Sequence, residues 1–184
     1  MGLSDAVAGA TVIAAGVTTG ALGADCTAGA VTGEADTSII KPLVKALTGM
    51  GMPAVAVTDT NNMFAALEFS VIAQGAGVQP IVGCQVSYAY DPAAVGEKLR
   101  LPAPLVLLAQ NERGYENLMK LNSCLYIDKG GDLVQVTRDE LALHSEGIIC
   151  LTGGAEGPVG RFIQNGQHGR AKALLEDLAG IFGD

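Results

Sequence analysis

From residue 38 onward, apolar positions fall into two alternating patterns: short unbroken runs, and longer stretches with helical spacing. Ser38 is placed to cap a helix through IIKPLVKALTGM, with Pro42 in its first turn and Gly51 past its end. PAVAVT at 53–58 is a continuous apolar run, as expected of a parallel strand buried on both faces. A helix over 62–75 follows, with Phe64, Leu67, Val71 and Ile72 read as its buried face and Gly75 and Gly77 as its stop. Residues 78–88 read as a strand, 89–102 as a surface loop, and 104–109 as another strand leading to a helix from near Asn111. A turn is expected at Lys129–Asp132. Thr137-Arg-Asp-Glu140 fits a capping box before a short helix to His144. A strand over 147–152, a Gly-rich turn at 153–157, a helix holding Val159, Phe162 and Ile163, and a last helix over 168–182 complete the chain. Strands alternating with helices predict an α/β protein with a parallel sheet. The last helix ends beside the C-terminus, where a βα array would continue with a strand, so a truncated domain is expected.

Residues 1–37 break this rhythm. They hold 17 Ala or Gly and six Thr; the first Lys is Lys41 and the first aromatic residue is Phe64. Residues 6–24 form an uncharged run of 19 residues. A signal peptide would need a basic start and a Leu-like core, and Asp5 stands there instead. A transmembrane helix would need greater hydrophobicity and flanking bases. A weakly specified segment, partly extended and partly disordered, fits its glycine content better. The chain therefore divides into an atypical segment, 1–37, and a folded unit, 38–184.

Composition narrows the chemistry. The 184 residues suffice for one domain with a real core. A net charge of −8 repels phosphate backbones, so the chain alone should bind nucleic acid poorly. Cys26, Cys84, Cys124 and Cys150 are widely spaced, as reduced structural thiols are, rather than paired for a metal or a disulfide. Two histidines, His144 and His168, are too few for a His-rich metal cluster or a hydrolytic triad. His144 reads as a solvent-facing or capping residue. The turn Thr152-Gly-Gly-Ala-Glu-Gly157 lacks the lysine and spacing of a phosphate loop.

The densest polar chemistry is Thr58-Asp59-Thr60-Asn61-Asn62, at the end of a strand and the start of a helix. In α/β proteins that junction usually carries function. One carboxylate beside neutral amides cannot hold a metal cluster. Asp59, Asn61 and Asn62 are expected to cap the following helix.

TDTNNMFAALEF, GVQPIVGC, LVLLAQNERGYENLMKL and HSEGIICLTGGAEGPVGR, in this order and spacing, resemble the N-terminal PHP domain family of bacterial replicative DNA polymerase III α subunits, with an alphaproteobacterial flavour, over roughly residues 39–184. The resemblance implies part of a distorted (β/α)7 barrel with parallel strands. It also implies a metal-dependent phosphoesterase site whose ligands have been lost. Family members with the site carry T-D-H-G-N, and Thr60 stands here in place of the histidine. They carry G-C-E where this chain has Gly83-Cys84-Gln85, and S-G-C where it has Thr152-Gly153-Gly154. Their first strand bears H-x-H, and no histidine precedes His144. Their later D-x-H block would lie past the C-terminus. By resemblance, then, Asp59, Thr60, Asn61, Asn62, Gln85 and Gly154 are degenerate former-site positions, and no catalytic, cofactor-binding or metal-ligating residue is expected. Residues 1–37 match no form of the family's first strand, as a shifted frame, a fusion or an alternative start would produce.

The resemblance further implies a metal-free scaffold in the cytoplasm, within a DNA-directed DNA polymerase (a nucleotidyltransferase) that uses Mg²⁺. Its partners would be the rest of the α subunit and the proofreading exonuclease, with DNA reached only through the full polymerase and no membrane involved. A standalone metal-dependent phosphoesterase is the alternative. A small secreted or membrane-attached protein rests on residues 6–24 alone.

Overall fold

The computed structural model describes residues 10–13, 40–91, 101–127 and 134–183. Ser38, Cys26 and the turn expected at Lys129–Asp132 lie outside them, as does most of the 89–102 loop. Five strands form one sheet in chain order: β1 (Ala10–Ile13), β2 (Ala54–Thr60), β3 (Gln79–Tyr88), β4 (Ala103–Ala109) and β5 (Ile148–Leu151). The helices are α1 (Ile40–Gly49), α2 (Ala66–Gly75), α3 (Glu112–Cys124), α4 (Arg138–Leu143), α5 (Pro158–Gln164) and α6 (His168–Phe182). The chain is thus α/β, with the elements from residue 40 onward close to where the apolar pattern puts them, while β1 lies in the segment outside that pattern.

The expectation of parallel strands is corrected. Only β2 and β3 pair in parallel; β1–β2, β3–β4 and β4–β5 are antiparallel. The cause is the path of the connections. A parallel neighbour needs a crossover that returns the chain to the starting end of the sheet. From β2 to β3 the single helix α2 does this. Between β3 and β4 the strand ends meet directly, with Tyr88 paired opposite Ala103. From β4 to β5 the chain crosses the sheet twice, once through α3 and once through residues 136–147, so β5 starts where β4 ended. Among the described residues the sheet is open, with β1 and β5 at its edges. Residues 10–13 of the atypical segment supply the β1 edge, with Ala10 opposite Asp59 and Ile13 opposite Ala56.

Side chains alternate across a strand, so pairing register fixes the two sides of the sheet. One side carries Val55, Val57, Cys84, Val86, Tyr88, Leu105, Leu107 and Ile148, and the helices pack on it in two clusters. Val44, Leu47, Phe69 and Ala73 of α1 and α2 cover Val55 and Val57. Leu118, Leu121, Leu141 and Leu178 of α3, α4 and α6 cover β3, β4 and β5. The other side carries Thr58, Thr60, Gly83, Gln85, Val106, Ile149 and Leu151. Gly83 is required there: a Cβ would sit 2.6 Å from Leu108 Cδ2 and 2.8 Å from Thr58 Cγ2.

Local signals explain the helix ends. The Asn111 side chain accepts the Gly114 N–H at 3.0 Å and starts α3. Thr137 and Glu140 form the expected capping box at α4. A bidentate pair from Arg138 to Asp177 ties α4 to α6.

The buried face of α2 differs from the expectation. Phe64, Leu67 and Val71 point outward, 82%, 78% and 63% exposed, while Ala65, Phe69 and Ala73 pack on the sheet and Ile72, of the expected face, is half-buried against them. Small residues let the helix backbone approach β2 and β3 closely, and Phe69 fills the remaining space.

Candidate functional site

The polar junction after β2 is a closed hydrogen-bonded clasp. Asn61 adopts a left-handed backbone, φ 57°, which asparagine tolerates better than other residues with a side chain. That turn directs its groups at β3 and at the residues just beyond α3. Its N–H donates to the Gln85 carbonyl at 2.8 Å. Its Oδ1 accepts the Ser87 N–H at 2.8 Å, and its Nδ2 donates to Ser87 Oγ at 2.9 Å. Its carbonyl accepts the Tyr126 hydroxyl at 2.8 Å, from just beyond α3. The clasp joins the ends of β2 and β3 to the end of α3. Asn62 serves the next step, with Nδ2 donating to the Thr60 carbonyl and Oδ1 accepting the Phe64 N–H.

Asp59 and Thr60 are consecutive in β2, so they face opposite sides of the sheet. Thr60 shares its side with Gln85, and Gln85 Nε2 donates to Thr60 Oγ1 at 3.2 Å. Asp59 lies on the helix side, 3% exposed, opposite Cys84. Its Oδ2 accepts the Ala65 N–H at 3.0 Å, just ahead of α2, while Oδ1 has no hydrogen-bond partner. Burial raises the Asp59 carboxyl above its ordinary value, and the Ala65 hydrogen bond only partly offsets this. The structure therefore groups Thr60, Asn61 and Gln85, sets Asp59 behind them, and leaves Gly154 on the exposed turn after β5, without a side chain. Thr60 and Gln85 offer neutral oxygens already engaged with each other, a poor donor set for a clustered divalent metal. Among the described residues no group of three or more His, Cys, Asp or Glu could hold a metal ion.

Sequence reasoning missed Ser87 and Tyr126. Ser87 lies two positions along β3 from Gln85, and strand alternation could have found it. Tyr126 meets Asn61 across 65 positions, and no local pattern announces that contact.

The remaining candidates lie apart from this junction. Cys84 and Cys150 are free thiols, and burial pushes both up to about 12, far from a reactive thiolate. His144 follows α4 and lines an open groove of about 460 Å³ with Glu116, Met119, Lys120, Ser123 and Cys124 of α3. Desolvation, then the Lys120 charge, lowers its pKa. In the Gly-rich turn, a Cβ on Gly157 would overlap the Thr152 carbonyl, so this glycine serves close packing. Among the described residues no helix is long and apolar enough to cross a membrane.

Comparison with known proteins places these features in one family. The PHP domain family matches residues 34–184. DNA polymerase III subunit alpha of Caulobacter vibrioides is 42% identical over 135 residues, covering 72% of this chain and 12% of that protein. The same subunit of Pseudomonas fluorescens is 41% identical over 147 residues, covering 79% and 12%. That of Escherichia coli K12 is 38% identical over 144 residues, covering 77% and 12%. The chain thus spans about an eighth of the length of these relatives.

Proposed function

The chain belongs to the PHP domain family, and on that basis we propose that it is the PHP portion of a replicative DNA polymerase III α subunit, acting as a metal-free scaffold. In this reading it contributes no catalytic group of its own. It supports the polymerase core and contacts the proofreading exonuclease in the cytoplasm, and polymerisation with Mg²⁺ belongs to the parent subunit. The fold is the corresponding part of a distorted barrel. The observation that carries the reading is the Thr60–Gln85 pair, with Asp59 turned to the opposite side of the sheet. Strand-end positions that could point metal ligands into a common site hold a hydroxyl and an amide bonded to each other. The nearby carboxylate instead binds the backbone leading into α2.

Metal analysis of the purified chain, with a phosphoesterase assay in added Mn²⁺ or Zn²⁺, tests the metal-free claim. Background metal and no hydrolysis are expected. Two or more tightly bound metals per chain, with turnover, would make the chain a standalone metal-dependent phosphoesterase. Co-purification of the full subunit with its exonuclease, lost when these residues are deleted, tests the scaffold claim; retention would sink it.

A further inference from the structure

We propose that the outer edge of β2 is a strand-accepting seat that residues 10–13 fill reversibly. An unpaired strand edge offers a row of free N–H and C=O groups, and proteins blunt such edges with Lys, Pro or a bulge. β2 has none of these. It reads AVAVTDT, its one charged residue, Asp59, is buried on the helix side, and its register with both neighbours runs without a break. The edge is closed instead by β1, antiparallel, with Ala10 opposite Asp59 and Ile13 opposite Ala56. Thr11, Val12 and Ile13 are β-branched, the residue type best suited to such pairing.

The closure is reversible because little holds it. β1 is four residues long, stands at the end of the sheet order and pairs with β2 alone. The net gain from each ladder hydrogen bond is similar in size to the entropy lost in fixing one residue, so a strand this short gains little from its ladder. Residues 14–39 separate β1 from α1, so β1 can leave without moving another element. β2 then still has β3 on its other edge, and Val44, Leu47 and Phe69 of α1 and α2 over its helix side. Charge defines what the seat fits. Residues 54–58 carry none, and Asp59 is turned inward. The seat takes an extended, uncharged segment, and the charge-free run 6–24 supplies one from the same chain.

Amide hydrogen exchange by NMR on the full chain tests this. Alternate N–H groups of β2 point to β1 and to β3, so one strand reports on both edges. In the unmodified chain, the β1-facing amides of β2 are expected to exchange roughly tenfold or more faster than the β3-facing ones, and without dependence on low urea, as local opening requires. Thr11→Pro together with Val12→Pro removes a ladder donor, since one of two consecutive strand residues must donate to β2. This double variant should exchange its β1-facing amides about tenfold faster again and leave those between β3 and β4 unchanged. A millimolar peptide of residues 9–15, GATVIAA, should then restore the slower exchange. The comparison within the unmodified chain decides even where the variant fails to fold. The proposal is overturned by β1-facing amides that open only with global unfolding, by a folded double variant with unchanged exchange, or by a peptide that restores nothing.

Discussion

Asn61 concentrates more hydrogen bonding than any single-residue reading of TDTNN suggests, and two substitutions separate its roles. Asn61→Ala loses the Ser87 clasp and keeps the unfavourable left-handed backbone, so a loss of about 2 kcal/mol is expected. Asn61→Gly loses the clasp but relieves the backbone, for about 1 kcal/mol. Urea midpoints that rank alanine above glycine would contradict the account. Asp59 yields a pH-dependent prediction. Burial holds its carboxyl above the ordinary 3.8, so folding favours the neutral form. That stabilisation is complete below the unfolded value and is lost as pH rises through the raised folded value. Asp59→Asn should therefore be more stable than the parent at pH 7, by about 1 kcal/mol, and the advantage should vanish below about pH 4. Urea unfolding at the two pH values decides it. The polar junction itself was legible in the sequence as a strand end beside a helix start. The separation of Asp59 from Thr60 was legible too, since neighbours in a strand cannot share a side. The Tyr126 contact was not, because it depends on where α3 ends relative to β2.

Helix α2 shows what apolar periodicity can and cannot decide. Residues 64, 67 and 71 form one apolar stripe, and residues 65, 66, 69 and 73 form another on the opposite face. Spacing alone favours the stripe with larger side chains. The sheet took the other, because three alanines permit close approach and Phe69 fills the gap between β2 and α1. Phe69→Ala, at a fully buried position, should cost about 4 kcal/mol. Phe64→Ala should change stability in dilute solution by less than about 0.5 kcal/mol. Thermal or urea unfolding of the pair would reverse this order if the outward stripe were the true core face. By contrast, α4 and α6 followed the sequence closely. A capping box is a local device, and α6 presents one dominant apolar face with Ala171, Leu174, Leu178 and Ile181.

For the whole molecule, strand direction was the property least accessible from sequence. Runs such as PAVAVT and PLVLLA report burial on both faces, which parallel and antiparallel strands share once helices cover one side and neighbouring side chains close over the other. Direction was set by how often each connection crosses the sheet, and that follows from tertiary packing of α3 and the 136–147 segment. Charge, in turn, acts at this scale without regard to strand order. At −8, the chain should leave the fluorescence anisotropy of a labelled DNA duplex unchanged even at low salt; a salt-sensitive rise would reveal a basic face that the composition hides. The β3–β4 connection has a further consequence. On its β3 side, Tyr90 packs edge-on against Phe162, with ring centroids 5.2 Å apart, and Asp91 pairs with Arg170, which lies over the same Phe162 ring. On its β4 side, Arg161 donates to the carbonyls of Leu101 and Pro102. Both feet of the excursion are thus anchored to α5 and α6, independently of the chain between them. Because closure entropy grows only slowly with length, evolution or an engineer can splice a peptide tag or a small domain between Asp91 and Leu101 while the sheet keeps its register.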